Sequence, residues 1–481
     1  MRNSIRNLII VAVCAVVLGG AFLALKLTGN DKAASSAVSS TASIELVSKK
    51  SEDVVSMNVV NQKGSYTLVP VQTRAKSSSS SANSGESEPT YTVEGLGGCP
   101  INTSATESVV KNGFGLVASR NLGAISDLSE YGLSSPQATV KVRFKDNSSF
   151  DYKIGKTSAT DSTAYYMCGL NSNNVYIVSI DQGLLEDLSY FVSKEILAIT
   201  NSSGDNNFTK IVLSGSNYPK PVTFSVFQTN LKISAPTSYE ADSTALSSLE
   251  SALGSLTADS VAAVSPDAAA LKRYGFDHPT AVAAFTVNGA NYTITAGAKD
   301  GNDYDVMLGG VSVVYRVPSS SIQPWALQSL FSLRSKTILS PGIEMVSALT
   351  VTVGSAKNEL EIGRTKDEKK STEDKVYYNY KVTGNDGKAL DYSTSYKNFF
   401  QKLTGINLLE DTEQKPSGSP VLTVNYRYFN TAKSDTVAFY KSGDRRYTAV
   451  LNGQVYGIVT QDDLDTVTGG IAALESGKAV S

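Results

Sequence analysis

The 481-residue chain contains one histidine, His278, and acid–base chemistry near neutral pH is sought first at such a residue. A histidine base needs a nucleophile to activate and a third group to orient it. His278 lies in "LKRYGFDHPTAVAAFTV", which begins at Leu271, and a sister stretch, "LSEYGLSSPQATVKVRF" from Leu128, places Ser135 at the same point. A position that alternates between histidine and serine in a turn reads as surface, and a Ser-His-Asp triad is not expected. Ser108 and Lys111 form an S-x-x-K pattern, but no K-T-G accompanies it in this serine-rich chain, so it reads as a chance match. The acid pairs Glu410-Asp411 and Asp462-Asp463 would suit a glycosidase only across a cleft of about 5–9 Å, and their default reading is solvated loop charge. Three cysteines and one histidine are too few for a zinc site. For Cys99 and Cys168, a disulfide and two separate buried thiols both remain open, since nothing in the sequence sets their distance. No phosphate-binding glycine loop and no G-x-S-x-G is present. The reading is therefore of a non-enzyme with no catalytic, cofactor-binding or metal-binding residue and no cofactor.

The elements that carry these residues are more informative. A chain of 50.9 kDa is too long for one ordinary core and implies two to four domains. Its 43 Lys+Arg against 45 Asp+Glu leave no basic footprint, which excludes nucleic acid as an expected partner. The 24 tyrosines suggest sugar stacking, yet most fall in alternating patterns where tyrosine is simply a good strand residue. After Arg2 and Arg6, "LIIVAVCAVVLGGAFLAL" runs uncharged from Leu8 to Leu25, followed by Lys26. As a helix the run rises about 27 Å, enough to span a bilayer, and it exceeds the roughly 7–15 apolar residues of a cleaved signal peptide, the competing reading. The basic stub keeps the N-terminus in the cytoplasm and places the bulk of the chain outside it.

The expected organisation is a cytoplasmic stub at 1–7, a transmembrane anchor at 8–27, a polar spacer at 28–43, and units at 44–200, 201–340 and 341–481. Within the first unit, "DVVSMNVVNQKGSYTLVPVQ" reads as a hairpin turning at Gly64, and the serine-rich stretch 76–90 as a solvated loop before the strand "YTVEG". An offset of 143 carries Tyr131 onto Tyr274, Gly132 onto Gly275 and Pro136 onto Pro279; "FDYKIG" then answers "YTITAG", and "NVYIV" answers "VVYRV". Leu246, Leu249, Leu253 and Leu256 are spaced as one face of a helix in the second unit. In the third, Tyr396, Phe399, Phe400 and Leu403 do the same, and "VLTVNYRYF", "DTVAFYK" and "RYTAVLNGQVYGIV" read as three strands. The fold class expected is α+β: three tandem, β-rich units of strands, helix and antiparallel meander behind one N-terminal span. The mixed-charge run "RTKDEKKSTEDK" reads as an exposed hairpin tip.

The twice-used stretch reads as a helix stop. Gly132 and Gly275 stand where a left-handed backbone follows the last helical residue, Leu133 and Phe276 where a side chain folds back on Leu128 and Leu271, and Pro136 and Pro279 where a strand begins. Ser265 and Pro266 read as the cap and first turn of the short helix in the second unit.

The basic stub, the single span, and units carrying "YGL-x-x-P", an "IG" strand end and "VY-x-V" resemble the bacterial membrane-anchored proteins with the repeat called domain of unknown function 4340 (DUF4340). The resemblance covers the anchor and the first two units more fully than the third. It brings no catalytic residues. It implies an accessory or scaffold role outside the cell membrane, beside an ABC-type transporter or another envelope complex, with a protein partner there. A cell-wall or polysaccharide-binding module and a carboxylate-dependent hydrolase are the alternatives, the first requiring clustered exposed tyrosines and the second two converging acids.

Overall fold

The computed structural model describes residues 43–71, 89–200 and 205–480. The stub 1–7, the anchor 8–27, nearly all of the spacer 28–43 and most of the serine-rich stretch 76–90 lie outside the described residues. Among the described residues no helix is long and apolar enough to cross a membrane.

Described strands outnumber helices, and the class is α+β and β-rich. The first part of the chain supplies β1 (Ile44–Glu45), β2 (Val54–Asn61), β3 (Gly64–Pro70), β4 (Tyr91–Val93), helix α1 (Thr103–Phe114), β5 (Val117–Ala124), β6 (Ala138–Phe144), β7 (Ser149–Thr157), β8 (Tyr165–Gly169) and β9 (Asn174–Val178). They form one antiparallel sheet in the order β4-β3-β2-β6-β7-β8-β9-β5-β1. After β10 (Glu195–Ala198) come β11 (Phe208–Gly215), β12 (Tyr218–Phe227), β13 (Asn230–Ala235), helix α2 (Ser243–Gly254), β14 (Ser255–Thr257), β15 (Ser260–Val264) and helix α3 (Ala268–Arg273). Strands β16 (Ala281–Val287), β17 (Ala290–Asp300), β18 (Asp303–Leu308) and β19 (Val313–Pro318) follow, then helices α4 (Ser319–Ala326) and α5 (Leu330–Leu333). This second sheet runs β13-β12-β11-β16-β17-β18-β19-β15, which is the first order again without the edge strand β1.

The third sheet takes β20 (Val346–Val353), β21 (Ala356–Lys366), β22 (Tyr378–Thr383) and β23 (Ala389–Leu390), then helix α6 (Lys397–Thr404), β24 (Leu422–Tyr428), β25 (Ser434–Gly443), β26 (Arg446–Leu451) and β27 (Gln454–Thr460), with helix α7 (Gln461–Glu475) at the end. Its order is β23-β22-β21-β20-β24-β25-β26-β27. Where β5 and β15 pair with β9 and β19 in the first two sheets, Leu409 and Glu410 run beside β27 instead, the Leu409 amide donating to the Ile458 carbonyl at 2.7 Å and the Ile458 amide to that of Glu410 at 2.9 Å. The stretch "RYTAVLNGQVYGIV" makes two strands, not one, because Asn452-Gly453 turns with both φ angles positive, the geometry of a two-residue hairpin. The run 367–377 is the exposed tip expected between β21 and β22.

The helices form where their apolar stripes meet the sheets. Asp242 caps α2 by accepting the Ala245 amide at 2.9 Å, and Leu249 and Leu253 are fully buried. Leu256 is buried too, but in β14, one turn beyond the helix read from its spacing. Tyr396, Phe399, Phe400 and Leu403 are all buried, as their spacing requires. One apolar core extends from Val54 to Val480 through all three large sheets. A second, smaller core of Leu133, Ala164, Tyr166, Cys168, Val175 and Ile177 lies on the opposite face of the first sheet, since Met167, between Tyr166 and Cys168, points into the main core.

The repeated stretch builds this second face. Gly132 has φ 70° and Gly275 φ 77°. The Leu133 amide donates to Leu128 O at 3.1 Å and the Gly132 amide to Ser129 O at 3.0 Å; Phe276 to Leu271 O and Gly275 to Lys272 O are both 3.0 Å. That double bond pattern is a Schellman motif, twice. Leu128 and Leu133 share the smaller core, as expected. The helix preceding the motif is a single 3₁₀ turn in the first sheet and α3 in the second. Two details differ from the sequence reading. Asp267, not Ser265, caps α3, accepting the Ala270 amide at 2.7 Å; Ser265 lies two residues too far upstream to reach it. Pro136 and Pro279 stand two residues ahead of β6 and β16 and do not open them.

Each motif rests on the glycine of the "IG" or "AG" strand. A Cβ on Gly155 would lie 2.2 Å from the Tyr131 carbonyl oxygen, and one on Gly297 2.1 Å from that of Tyr274. Gln137 Nε2 and Thr280 Oγ1 then bond the carbonyls of Gly155 and Gly297, each at 2.8 Å. Gly297→Ala is expected to destabilise the second sheet by about 1–3 kcal/mol through this overlap. Gly469→Ala, in α7 with no atom within 4 Å, is expected to be neutral or slightly stabilising. Urea denaturation followed by the fluorescence of the only tryptophan, the buried Trp325 of α4, distinguishes the two.

Candidate functional site

The residues singled out from the sequence disperse across the structure. His278 is exposed, with 92% of its side chain accessible and Asp277 Oδ2 4.0 Å away. Ser108 and Lys111 lie exposed on α1. Cys99 and Cys168 are free buried thiols, and burial pushes both upward from the usual thiol pKa. Each of the four acids has its own partner. Glu410 pairs with Arg446 at 2.8 Å, Asp462 with Arg445 at 2.6 Å, and Asp411 with Arg334 at 3.0 Å. Asp463 closes a capping box on α7, its carboxylate accepting from the Thr460 amide at 3.1 Å while its own amide donates to the Thr460 hydroxyl oxygen at 3.2 Å.

The densest cluster of chemistry-bearing groups surrounds Arg334, at the joint between the second and third sheets. Helix α5, capped by Ser329, delivers the chain to a bridge between Arg334 and Ala241, and this turns the side chain inward until none of it is accessible. Its guanidinium centre sits 4.3 Å from the Tyr239 ring, 5.3 Å from Phe331 and 5.5 Å from Tyr456, an aromatic cage that favours a cation. Tyr239 and Tyr456 meet edge to face at 5.2 Å. Arg334 Nη2 donates to Asp411 Oδ1 and to the Tyr456 carbonyl, both on the third-sheet side. Nε and Nη1 find no protein acceptor among the described residues. Beside it, Lys336 donates to the carbonyls of Phe331 and Arg334, and burial, foremost among its influences, lowers its pKa. This arrangement links the second sheet to the third.

A second group missed by the sequence reading lies beneath the repeated motif. In the first sheet Ile154 faces Met167 and Tyr166 faces Ile177; the corresponding pairs in the second are Ala296 with Val306 and Asp305 with Arg316. The apolar pair Tyr166–Ile177 is thus replaced by an ion pair, Arg316 Nε to Asp305 Oδ1 at 2.7 Å, with Asp300 also on Arg316. Only 4% of the Asp305 side chain is accessible. Burial, the largest influence, raises its carboxyl pKa against the pull of Arg316. The signal for this pair was present in the alignment of "NVYIV" with "VVYRV", where Arg316 stands in place of Ile177 in an otherwise apolar strand. For Arg334 in "LFSLRSK" no comparable signal exists, because its burial depends on a sheet built from residues more than seventy positions later.

Residues 232–418 match the family model described as domain of unknown function (DUF4340). The chain carries a DUF4340 domain. The match opens in β13 and ends just before β24, so it spans the Arg334 joint; it lies on the second and third sheets and leaves out the first, where the resemblance was expected to extend. No curated protein and no solved structure matches the chain.

Within the DUF4340 stretch, neighbouring acids are expected to behave differently. Asp411→Asn weakens the one charged partner of a buried guanidinium and is expected to cost about 1–3 kcal/mol. Glu410→Gln breaks an ion pair that is about half exposed on both sides and is expected to change stability by no more than about 0.5 kcal/mol. Paired denaturation curves of the two variants test the contrast.

Proposed function

We propose that the protein is a non-catalytic scaffold or accessory subunit, held to the cell membrane by residues 8–27 with the rest of the chain extracytoplasmic, and built as three tandem copies of one β-rich unit. The observation that carries the reading is how the polar groups are used. Glu410, Asp411, Asp462 and Asp463 are committed to ion pairs or to a helix cap, and the most elaborate polar cluster, around Arg334, joins two sheets. The shared strand order supports the tandem build. The partner class, an ABC-type transporter or another envelope complex, comes from the DUF4340 resemblance.

The alternatives draw less support. Tyr380 stacks on Tyr392 at 5.2 Å and Tyr392 on Tyr396 at 5.4 Å, so these rings spend their faces on one another. A sugar-binding module needs such faces free. The separate pairing of the four acids likewise gives a carboxylate hydrolase nothing to start from.

Affinity purification of the full chain from detergent-extracted membranes tests the proposal. An integral-membrane partner recovered in near-equal amount is the expected result. Recovery of the protein alone, from cells in which it is natively expressed, would count against the accessory role.

A further inference from the structure

Both joints of the array share structure between the sheets that they connect. At the first, β10 pairs with β14, the Ala258 amide donates to Lys194 O at 2.8 Å and the Ile199 amide to Gly254 O at 2.9 Å. Leu197 and Leu256 lie opposite each other in that pair, and both are buried. At the second, Thr337 bridges to Asn407 and the Leu408 amide donates to Lys336 O at 2.8 Å. The connecting chain runs on from there into the core of the third sheet, where Ile338 and Leu339 line one small void with Leu403, Val424 and Phe439. Leu409 and Glu410, which run beside β27, continue directly from the paired Asn407 and Leu408, so chain arriving from the second sheet holds the edge of the third.

We infer that the three sheets form one cooperative folding unit, although the length of the chain implies two to four domains. Parting either joint exposes buried apolar groups to water: Leu197 and Leu256 at the first, Ile338, Leu408, Tyr239 and Tyr456 at the second. It also cuts the apolar core, which is continuous from Val54 to Val480. At the second joint it takes from Arg334 the Tyr456 ring and the Asp411 acceptor. Domains that fold alone meet through few contacts at an exposed linker, whereas Ile196, Leu197, Arg334 and Ile338 of the two connections are buried. A sheet that cannot open by itself shares its stability with the others. Anything that binds the folded third sheet therefore stabilises the first by the same amount, which couples the two ends of the array without a change of shape.

Hydrogen exchange of the full chain in detergent, followed by mass spectrometry, tests the inference. The slowest amides report the opening of the unit to which they belong, and the inner strands β6, β16 and β24 represent the three sheets. Ile154→Val in β7 and Ile362→Val in β21 each remove one buried methyl group, from the first and the third sheet respectively. Each is expected to speed exchange roughly two- to tenfold, by the same factor in β6, β16 and β24. Ile362→Ala is expected to raise that common factor above about 30-fold. In the parent, the three strands are expected to share one level of protection. If a substitution speeds exchange only in its own sheet, or if β24 of the parent exchanges through a faster opening than β6, the sheets are separate folding units and the inference is overturned.

Discussion

A tyrosine carbonyl pressed onto a bare strand backbone governs the rest of this architecture. The chain must return from the edge of each sheet to its middle, passing over the outer face of three strands. At Tyr131 over Gly155 and Tyr274 over Gly297, the crossing runs closer to the sheet than any side chain would permit. The close approach requires glycine in the strand, and the reversal just before it requires glycine at the left-handed position. After that crossing the chain enters β6 beside β2 and β16 beside β11. The third sheet reaches the same order without the motif, and there the segment after α6 stays irregular, bonding to β27 through the backbone of Leu409 and Glu410.

The connections between sheets follow a second rule. Each incoming segment lies against the strand that leaves the helix: Ile44 opposite Ala118, Leu197 opposite Leu256, Thr337 opposite Asn407. The pairing is thinnest at the last of these, where that strand has decayed into a loop. Polar side chains take over from backbone bonds at this point, and the family match straddles it. An interface that relies on a caged arginine is specific in orientation, because the cage is formed from rings on both sides.

What could be read in the sequence was whatever depends on local backbone. Gly132, Gly275 and the paired prolines announce a helix stop from residue type alone, and the leucines of α2 and the aromatics of α6 announce buried faces by their spacing. The limits of those readings are equally physical. Leu256 keeps the helical period but follows Gly254, where the chain leaves the helix for an edge strand. Asn452-Gly453 is a hairpin signal inside what was read as one strand. Ser265 is a good capping residue, yet Asp267 stands at the position from which a carboxylate reaches the third helical amide. The joint was illegible: Arg334, Asp411, Tyr239 and Tyr456 acquire their relation only when two sheets pack, and no spacing encodes that.

The exchange of Tyr166–Ile177 for Asp305–Arg316 has a bearing on how such a chain assembles. Neighbouring units of like topology on one chain can trade strands while folding, and misassembly of that kind is the characteristic hazard of tandem proteins. Were β18 to dock in place of β8, Asp305 would face Ile177 and leave a buried carboxylate without its counterpart. The cost of that unpaired carboxylate disfavours β18 in the first sheet. Divergence beneath the shared motif thus weighs against the mispairing that the resemblance of the two segments would otherwise invite.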